Sequence, residues 1–256
     1  MQKNLSPTEA ARVALQCLDL TSLNDGDTAA DIDILCQRAQ NRFGPVAAVC
    51  VWPRFVAQAR SLLPVGIQVA AVANFPTGAR GIALVLADIQ SIVDAGGNEV
   101  DVVLPYRALM NGQAAQCAGF LAQVRAASRP LTLKVIIESG VLVTPELIAQ
   151  ATQFALAAGA DFVKTSTGKT PVSATLDAAT VMLGEIAASG LPDAGFKASG
   201  GIRSVQDATV YLELVAATLG DAALTPSRFR FGASGLLNDI EAVLGGQTSA
   251  PTSSAY

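Results

Sequence analysis

An α/β chain folded as a single closed (β/α)8 barrel, the TIM-barrel architecture, is predicted by three observations. The chain has 256 residues, 51% of them hydrophobic, and a barrel of this kind takes about 250. Eight short apolar segments suited to strands are separated by helical patterns, which points to a parallel sheet. Asp101, Lys134, Lys164 and Lys197 follow one another at intervals of 33, 30 and 33 residues, close to the roughly 30 residues of one strand-helix-strand unit. Four charged side chains are therefore expected from four consecutive strands.

The strand segments are read at 18–23, 47–52, 68–73, 99–104, 132–137, 161–164, 195–198 and 230–231. Between them, 78–95, 113–127, 145–158 and 205–219 are Ala/Leu-rich and periodic enough for helices. Ser6-Pro7-Thr8-Glu9 combines a capping box with a proline in the first turn, and Thr144-Pro145-Glu146 starts another helix. The first of these gives an extra N-terminal helix, expected to close the bottom of the barrel. From Gly245 the chain reads Gly-Gly-Gln-Thr-Ser-Ala-Pro-Thr-Ser-Ser-Ala-Tyr, too poor in apolar residues to offset the entropy of ordering it. Residues 1–246 are thus read as one barrel domain and 247–256 as a flexible C-terminal tail.

Composition narrows the function. A net charge of −4 and a pI near 4.8 argue against nucleic-acid and anionic-membrane partners, which need clustered Lys and Arg. Any bound anion should be small and held in a pocket. No stretch reaches the roughly 18 apolar residues of a membrane span, and Met1-Gln2-Lys3-Asn4-Leu5-Ser6 has no apolar signal core; the expected location is cytoplasmic. Cys17, Cys36, Cys50 and Cys117 form no C-x-x-C pair and are read as buried free thiols. There is no histidine, which removes Ser-His and Cys-His nucleophile pairs and histidine-ligated zinc.

Chemistry on Lys and Asp remains. In a parallel barrel the active site lies at the C-terminal strand ends, and four of the five lysines fall there: Lys134, Lys164, Lys169 and Lys197. Lys164 sits in Phe162-Val163-Lys164-Thr165-Ser166-Thr167-Gly168-Lys169. A buried lysine among other cations can lose its proton near neutral pH and attack a carbonyl as a free amine. Lys197, one strand along, is the expected neighbouring cation. Asp101 is read either as a proton carrier or as a counter-charge to a buried lysine, and Lys134 either as functional or as the ion-pair partner of Asp101 or Glu138. Glycine-containing turns follow strands six, seven and eight at Thr165-Ser166-Thr167-Gly168-Lys169, Ser199-Gly200-Gly201-Ile202-Arg203 and Phe231-Gly232-Ala233-Ser234-Gly235. Backbone amides in such places suit a phosphate, although a glycine in a tight turn needs no ligand to explain it.

Several segments resemble deoxyribose-phosphate aldolases, in the right order across nearly the whole chain: Val49-Cys50-Val51-Trp52-Pro53-Arg54-Phe55, Asn74-Phe75-Pro76-Thr77-Gly78, Glu99-Val100-Asp101-Val102-Val103, Lys134-Val135-Ile136-Ile137-Glu138, Phe162 to Gly168, and Phe196-Lys197-Ala198-Ser199-Gly200-Gly201. The Lys-Thr-Ser-Thr-Gly run is the most specific. The resemblance implies a class I aldolase that reversibly cleaves 2-deoxy-D-ribose 5-phosphate to acetaldehyde and D-glyceraldehyde 3-phosphate, with no cofactor and no metal. It implies Lys164 as the Schiff-base lysine, Lys197 as the neighbour that lowers its pKa and Asp101 as the partner in proton transfer. Thr167, Gly168, Lys169, Gly200, Gly201, Gly232 and Ser234 would surround the phosphate, Asp19 would join the polar network around the sugar hydroxyls, and Tyr256 would reach back to assist proton transfer. Its partners would be phosphosugars and aldehydes; a homodimer is left open. Gly235 departs from relatives that carry a serine there, and Trp52 replaces a smaller aromatic. A Schiff-base aldolase for another phosphosugar and a catalytically silent phosphosugar-binding protein are the competing readings.

Overall fold

The computed structural model describes residues 5–249. Its eight parallel strands close on themselves, β1 (Leu18–Thr21), β2 (Ala48–Val51), β3 (Gln68–Ala73), β4 (Glu99–Val103), β5 (Thr132–Ile136), β6 (Phe162–Lys164), β7 (Gly195–Ser199) and β8 (Phe229–Ala233), each paired with its neighbours in sequence and β8 with β1. The expected segments match within a few residues. Helices α1 (Pro7–Gln16), α2 (Ala29–Ala39), α3 (Val56–Leu62), α4 (Ile82–Asp94), α5 (Tyr106–Met110), α6 (Ala114–Ala127), α7 (Ser139–Leu142), α8 (Pro145–Ala157), α9 (Leu176–Ala188), α10 (Val205–Leu219) and α11 (Leu236–Leu244) surround them. No helix among the described residues is long and apolar enough to cross a membrane.

Local rules account for the boundaries. Ser6 accepts the Glu9 N–H while the Glu9 carboxylate accepts the Ser6 N–H, the reciprocal cap expected at α1. Thr144 caps α8 through the Leu147 N–H, with Pro145 in the first turn where its missing donor costs nothing. Along the strands, side chains alternate between the helix layer and the lumen. On β8, Phe229 and Phe231 pack edge to face outside the barrel with ring centroids 4.6 Å apart, and so Arg230 between them turns inward. All four cysteines are free and buried.

One expectation needs correction. Helix α1 does not close the bottom flush: Arg12, Leu15 and Gln16 border a cavity of about 700 Å³ at the N-terminal strand ends, which Gln68, Glu99, Asp161 and Arg230 also line. At the start of the 247–256 segment, Ser249 Oγ donates to Asp239 Oδ2 at 2.6 Å. Tyr256 lies outside the described residues.

Candidate active site

Six strands send ionisable side chains into one buried layer of the lumen. Asp101, from the middle of β4, is fully buried and central. Its Oδ1 accepts from Lys134 Nζ at 2.9 Å, and its Oδ2 accepts from both Lys164 Nζ and Lys197 Nζ at 2.8 Å. Strand register brings these groups level, since Asp101 pairs with Lys134, and Lys164 with Lys197. Lys197 Nζ also donates to Asp19 Oδ2 and Lys134 Nζ to Glu99 Oε2. Arg230 bridges the lower side, with Nη1 to Asp19 Oδ1 and Nη2 to Glu99 Oε1, the latter at 2.9 Å.

The four bases are not equivalent. Lys197 has two carboxylate partners, Lys134 has Glu99 and Asp101 with Asp19 at 3.6 Å, and Arg230 has Asp19 and Glu99. Lys164 has one oxygen, which it shares with Lys197. Burial disfavours charge on every one of them, and the balance differs accordingly. Burial, helped by Lys197, pushes the Lys164 amine below its ordinary 10.5 although Asp101 resists. For Lys134 and Lys197 burial is outweighed, chiefly by Asp101 with Glu99 and with Asp19 respectively, and both stay charged with raised values. On Asp101 burial is overcome by Lys134, Lys164 and Lys197, so that it remains a carboxylate with a value well below the usual range. The expected roles thus shift in emphasis: desolvation leads in lowering Lys164, and Lys197 comes second. A neutral amine at Lys164 keeps a lone pair for a carbonyl while still donating an N–H to Asp101.

Of the alternatives open for Lys134, the ion pair is with Asp101 and Glu99, and Glu138 is elsewhere. The buried Glu138 carboxylate, at the end of β5, accepts from the Thr167 N–H at 3.3 Å, from Thr167 Oγ1 at 2.6 Å and from Thr170 Oγ1 at 3.2 Å. Glu138 itself sits at φ 56°, and Val143, the residue that follows α7, at φ 61°. Left-handed backbone at a glutamate and a valine is strained, and such strain persists only where surrounding bonds enforce it. The carboxylate thereby pins the 165–170 loop directly above Lys164.

The glycine turns differ in kind. Gly168 and Lys169 are exposed after β6, Gly201 after β7, and Ser234 and Gly235 after β8 at the start of α11; Thr167 is buried beneath them. Among the described residues Lys169 shows no ion pair. Gly200, at φ 86°, nests against the β6 loop: a Cβ there would fall 2.5 Å from Ser173 Cβ and 3.2 Å from Gly168 Cα. Gly232 lies inside β8, where a Cβ would stand 2.6 Å from Ser199 Oγ and 3.0 Å from Lys197 Cε, so its bareness makes room for the Lys197 shaft. Its carbonyl accepts the Gly200 N–H at 3.4 Å. Trp52 packs edge to face on Phe75, with centroids 5.6 Å apart, and donates to the Asn24 carbonyl.

Sequence reasoning missed Glu99 and Arg230. Both left a signal: Glu99 precedes Asp101 by two and shares its face of β4, and Arg230 follows Lys197 by the same 33 residues that separate the other charged strand positions.

Residues 13–241 match the model of a DeoC/LacD family aldolase. The chain is 47% identical over 253 residues to the deoxyribose-phosphate aldolase of Agrobacterium fabrum (strain C58 / ATCC 33970), covering 98% of this chain and 97% of that protein. Among solved structures, one from Coccidioides immitis is 29% identical with a TM-score of 0.78, over 90% of this chain and 86% of its own. Another, from Toxoplasma gondii ME49, has a TM-score of 0.84 over 94% and 96% of the two chains at 22% identity, a likeness of fold alone.

Proposed function

The chain belongs to the DeoC/LacD aldolase family, and from that premise we propose that it reversibly cleaves 2-deoxy-D-ribose 5-phosphate to acetaldehyde and D-glyceraldehyde 3-phosphate through a Schiff base on Lys164. The observation that carries the reading is the unequal sharing of Asp101: Lys164 Nζ has only the oxygen that Lys197 also uses.

In the forward direction the free amine of Lys164 attacks the C1 aldehyde of the open-chain sugar, and the carbinolamine loses water to give an iminium. Loss of the C3 hydroxyl proton then breaks the C2–C3 bond, whose electrons pass into the iminium to form an enamine. D-glyceraldehyde 3-phosphate departs, the enamine takes a proton at C2, and hydrolysis frees acetaldehyde and restores the amine. The iminium is the electron sink, so the bond cleavage needs no Lewis acid. Asp101, within hydrogen-bond reach of Lys164, and Lys197, which donates to the same Asp101 oxygen, are suited to shuttle the protons at the carbinolamine oxygen and the C3 hydroxyl, directly or through one water. Asp19, held by Lys197 and Arg230, fixes the position of this relay. Gly168, Lys169, Gly201 and Ser234 face solvent above it and would take the phosphate through backbone amides and one ammonium, with Thr167, Gly200 and Gly232 shaping the cradle from below.

The test is borohydride reduction in the presence of acetaldehyde, followed by peptide mapping. A two-carbon adduct on Lys164, absent from Lys164→Leu, is expected. An adduct chiefly on Lys134 or Lys169, or full activity in Lys164→Leu, would refute the assignment.

A further inference from the structure

We infer that Arg230 and Glu99 are positioning residues that set the charge of Lys164: they close a ring of alternating charge, Asp101, Lys134, Glu99, Arg230, Asp19, Lys197 and back to Asp101, in which three carboxylates answer three cations and Lys164 is left with no counter-charge of its own. The inference deepens the Schiff-base reading and rests on Lys164 being the reacting amine.

The ring is neutral as it stands. A proton on Lys164 would give this interior an uncompensated positive charge, and an unpaired buried charge is strongly disfavoured. The free base is the state that leaves the layer balanced. Arg230 is suited to the closing position because its guanidinium does not deprotonate and its planar fork spans two carboxylates; a lysine there could relieve the balance by losing its own proton, and Lys164 could then stay charged. Neither Glu99 nor Arg230 lies at the C-terminal mouth, where substrate enters. Both line the cavity at the opposite end of the barrel, so they act on Lys164 through the ring.

Other ionisable groups lie against the ring. Burial pushes the Cys50 thiol up to about 11, with Asp101 adding to the effect, and pushes Cys17 up to about 12. The cavity side contributes Arg12, Asp161 and Asp193, of which Asp161 is paired with Arg125 at 3.0 Å.

The signs follow from charge alone. Glu99→Gln leaves the ring with one positive charge in excess, so Lys164 becomes harder to protonate and titrates at lower pH. Arg230→Gln leaves one negative charge in excess, and Lys164 titrates at higher pH. The double variant restores balance, and Arg230→Lys retains it as long as the new amine stays charged. With only five lysines in the chain, protein carrying carbon-13 at lysine Cε gives few resonances, and the Lys164 signal is identified by its loss in Lys164→Met. The expected displacements of its titration are about one pH unit in opposite directions for the two single variants, the effect of a unit charge roughly 10 Å away at an effective dielectric constant near 20, and a return toward the parent value in the double variant. Damage to the fold would not produce opposite signs. Displacements in the same direction, or none, overturn the inference; if one single variant fails to fold, the sign in the other decides it. The titration needs no turnover, so it separates from the reading beneath it: displaced titrations without borohydride trapping at Lys164 would retain the ring and discard the Schiff base, and trapping without displacement would do the reverse.

Discussion

Replacing Lys197 by methionine removes a fully buried ammonium whose Nζ donates to Asp19 and Asp101. The layer then holds three carboxylates against Lys134 and Arg230, and Lys164 becomes the cation that restores balance. The size of the effect follows from the geometry. The two amines touch the same oxygen, each at 2.8 Å, which puts them about 5 Å apart, and unit charges at that separation interact by about 3 kcal/mol at an effective dielectric constant near 20. At 1.36 kcal/mol per pH unit the acid limb of kcat/KM should move up by about 2 units, which lowers the fraction of free amine about a hundredfold relative to the parent at a pH below the limb. The assay is the pH profile of retro-aldol cleavage in Lys197→Met, with borohydride trapping at the high-pH plateau, where Lys164 is again neutral and trapping should persist. An unmoved acid limb would show that Lys197 does not govern the charge of Lys164. Loss of trapping at every pH would show that the variant has lost the site as a whole.

Stability gives an independent reading of the same charge. Lys164 has a value below 10.5 in the folded chain, so between the folded and unfolded values the unfolded chain binds the extra proton and folding is penalised, the penalty fading as pH rises toward 10.5. Lys164→Met should therefore melt at higher temperature than the parent at pH 7, and calorimetry repeated near pH 10 should find the gain reduced; a gain that grows with pH contradicts the sign. Above the catalytic layer, Glu138→Gln keeps the shape but removes the charge that gathers the Thr167 N–H, Thr167 Oγ1 and Thr170 Oγ1. Hydrogen bonds to a charged group contribute about 1.5–3 kcal/mol, so KM for the phosphorylated sugar should rise roughly tenfold or more while acetaldehyde still traps on Lys164. Lys169→Met should raise the same KM without disturbing trapping, and an equal loss with a non-phosphorylated aldehyde would deny Lys169 a part in holding the phosphate.

Much of this was legible in the chain because barrel geometry writes itself as spacing. A period near 33 residues identifies the strands, and a charged residue inside an apolar strand has nowhere to point but the lumen; Asp101, Lys134, Lys164 and Lys197 follow from those two facts. Arg230 obeys the same spacing but lies in a segment with two phenylalanines and a glycine, where its direction is settled only by the outward packing of Phe229 and Phe231. Glu99 was hidden by its place at the first residue of β4, where a strand end and a loop read alike. The cavity under α1 was not legible at all, since a capping box fixes where a helix starts and says nothing of how flush it lies. Cys50, read as a buried free thiol, is fully buried, and its thiol is pushed up to about 11, burial leading and Asp101 assisting.

Gly232 has a consequence beyond the strand that contains it. The Lys197 shaft crosses the space where a side chain on residue 232 would stand, 3.0 Å from the first carbon such a side chain would bring. A single methyl there would displace the Ser199 hydroxyl, 2.6 Å away, and press on the lysine, and any tilt of the lysine would fall on the one oxygen that Lys197 and Lys164 hold in common. A backbone position that touches no substrate therefore acts as a gauge for the separation of the two amines, and the missing carbon belongs to the reacting geometry as much as the atoms that are present.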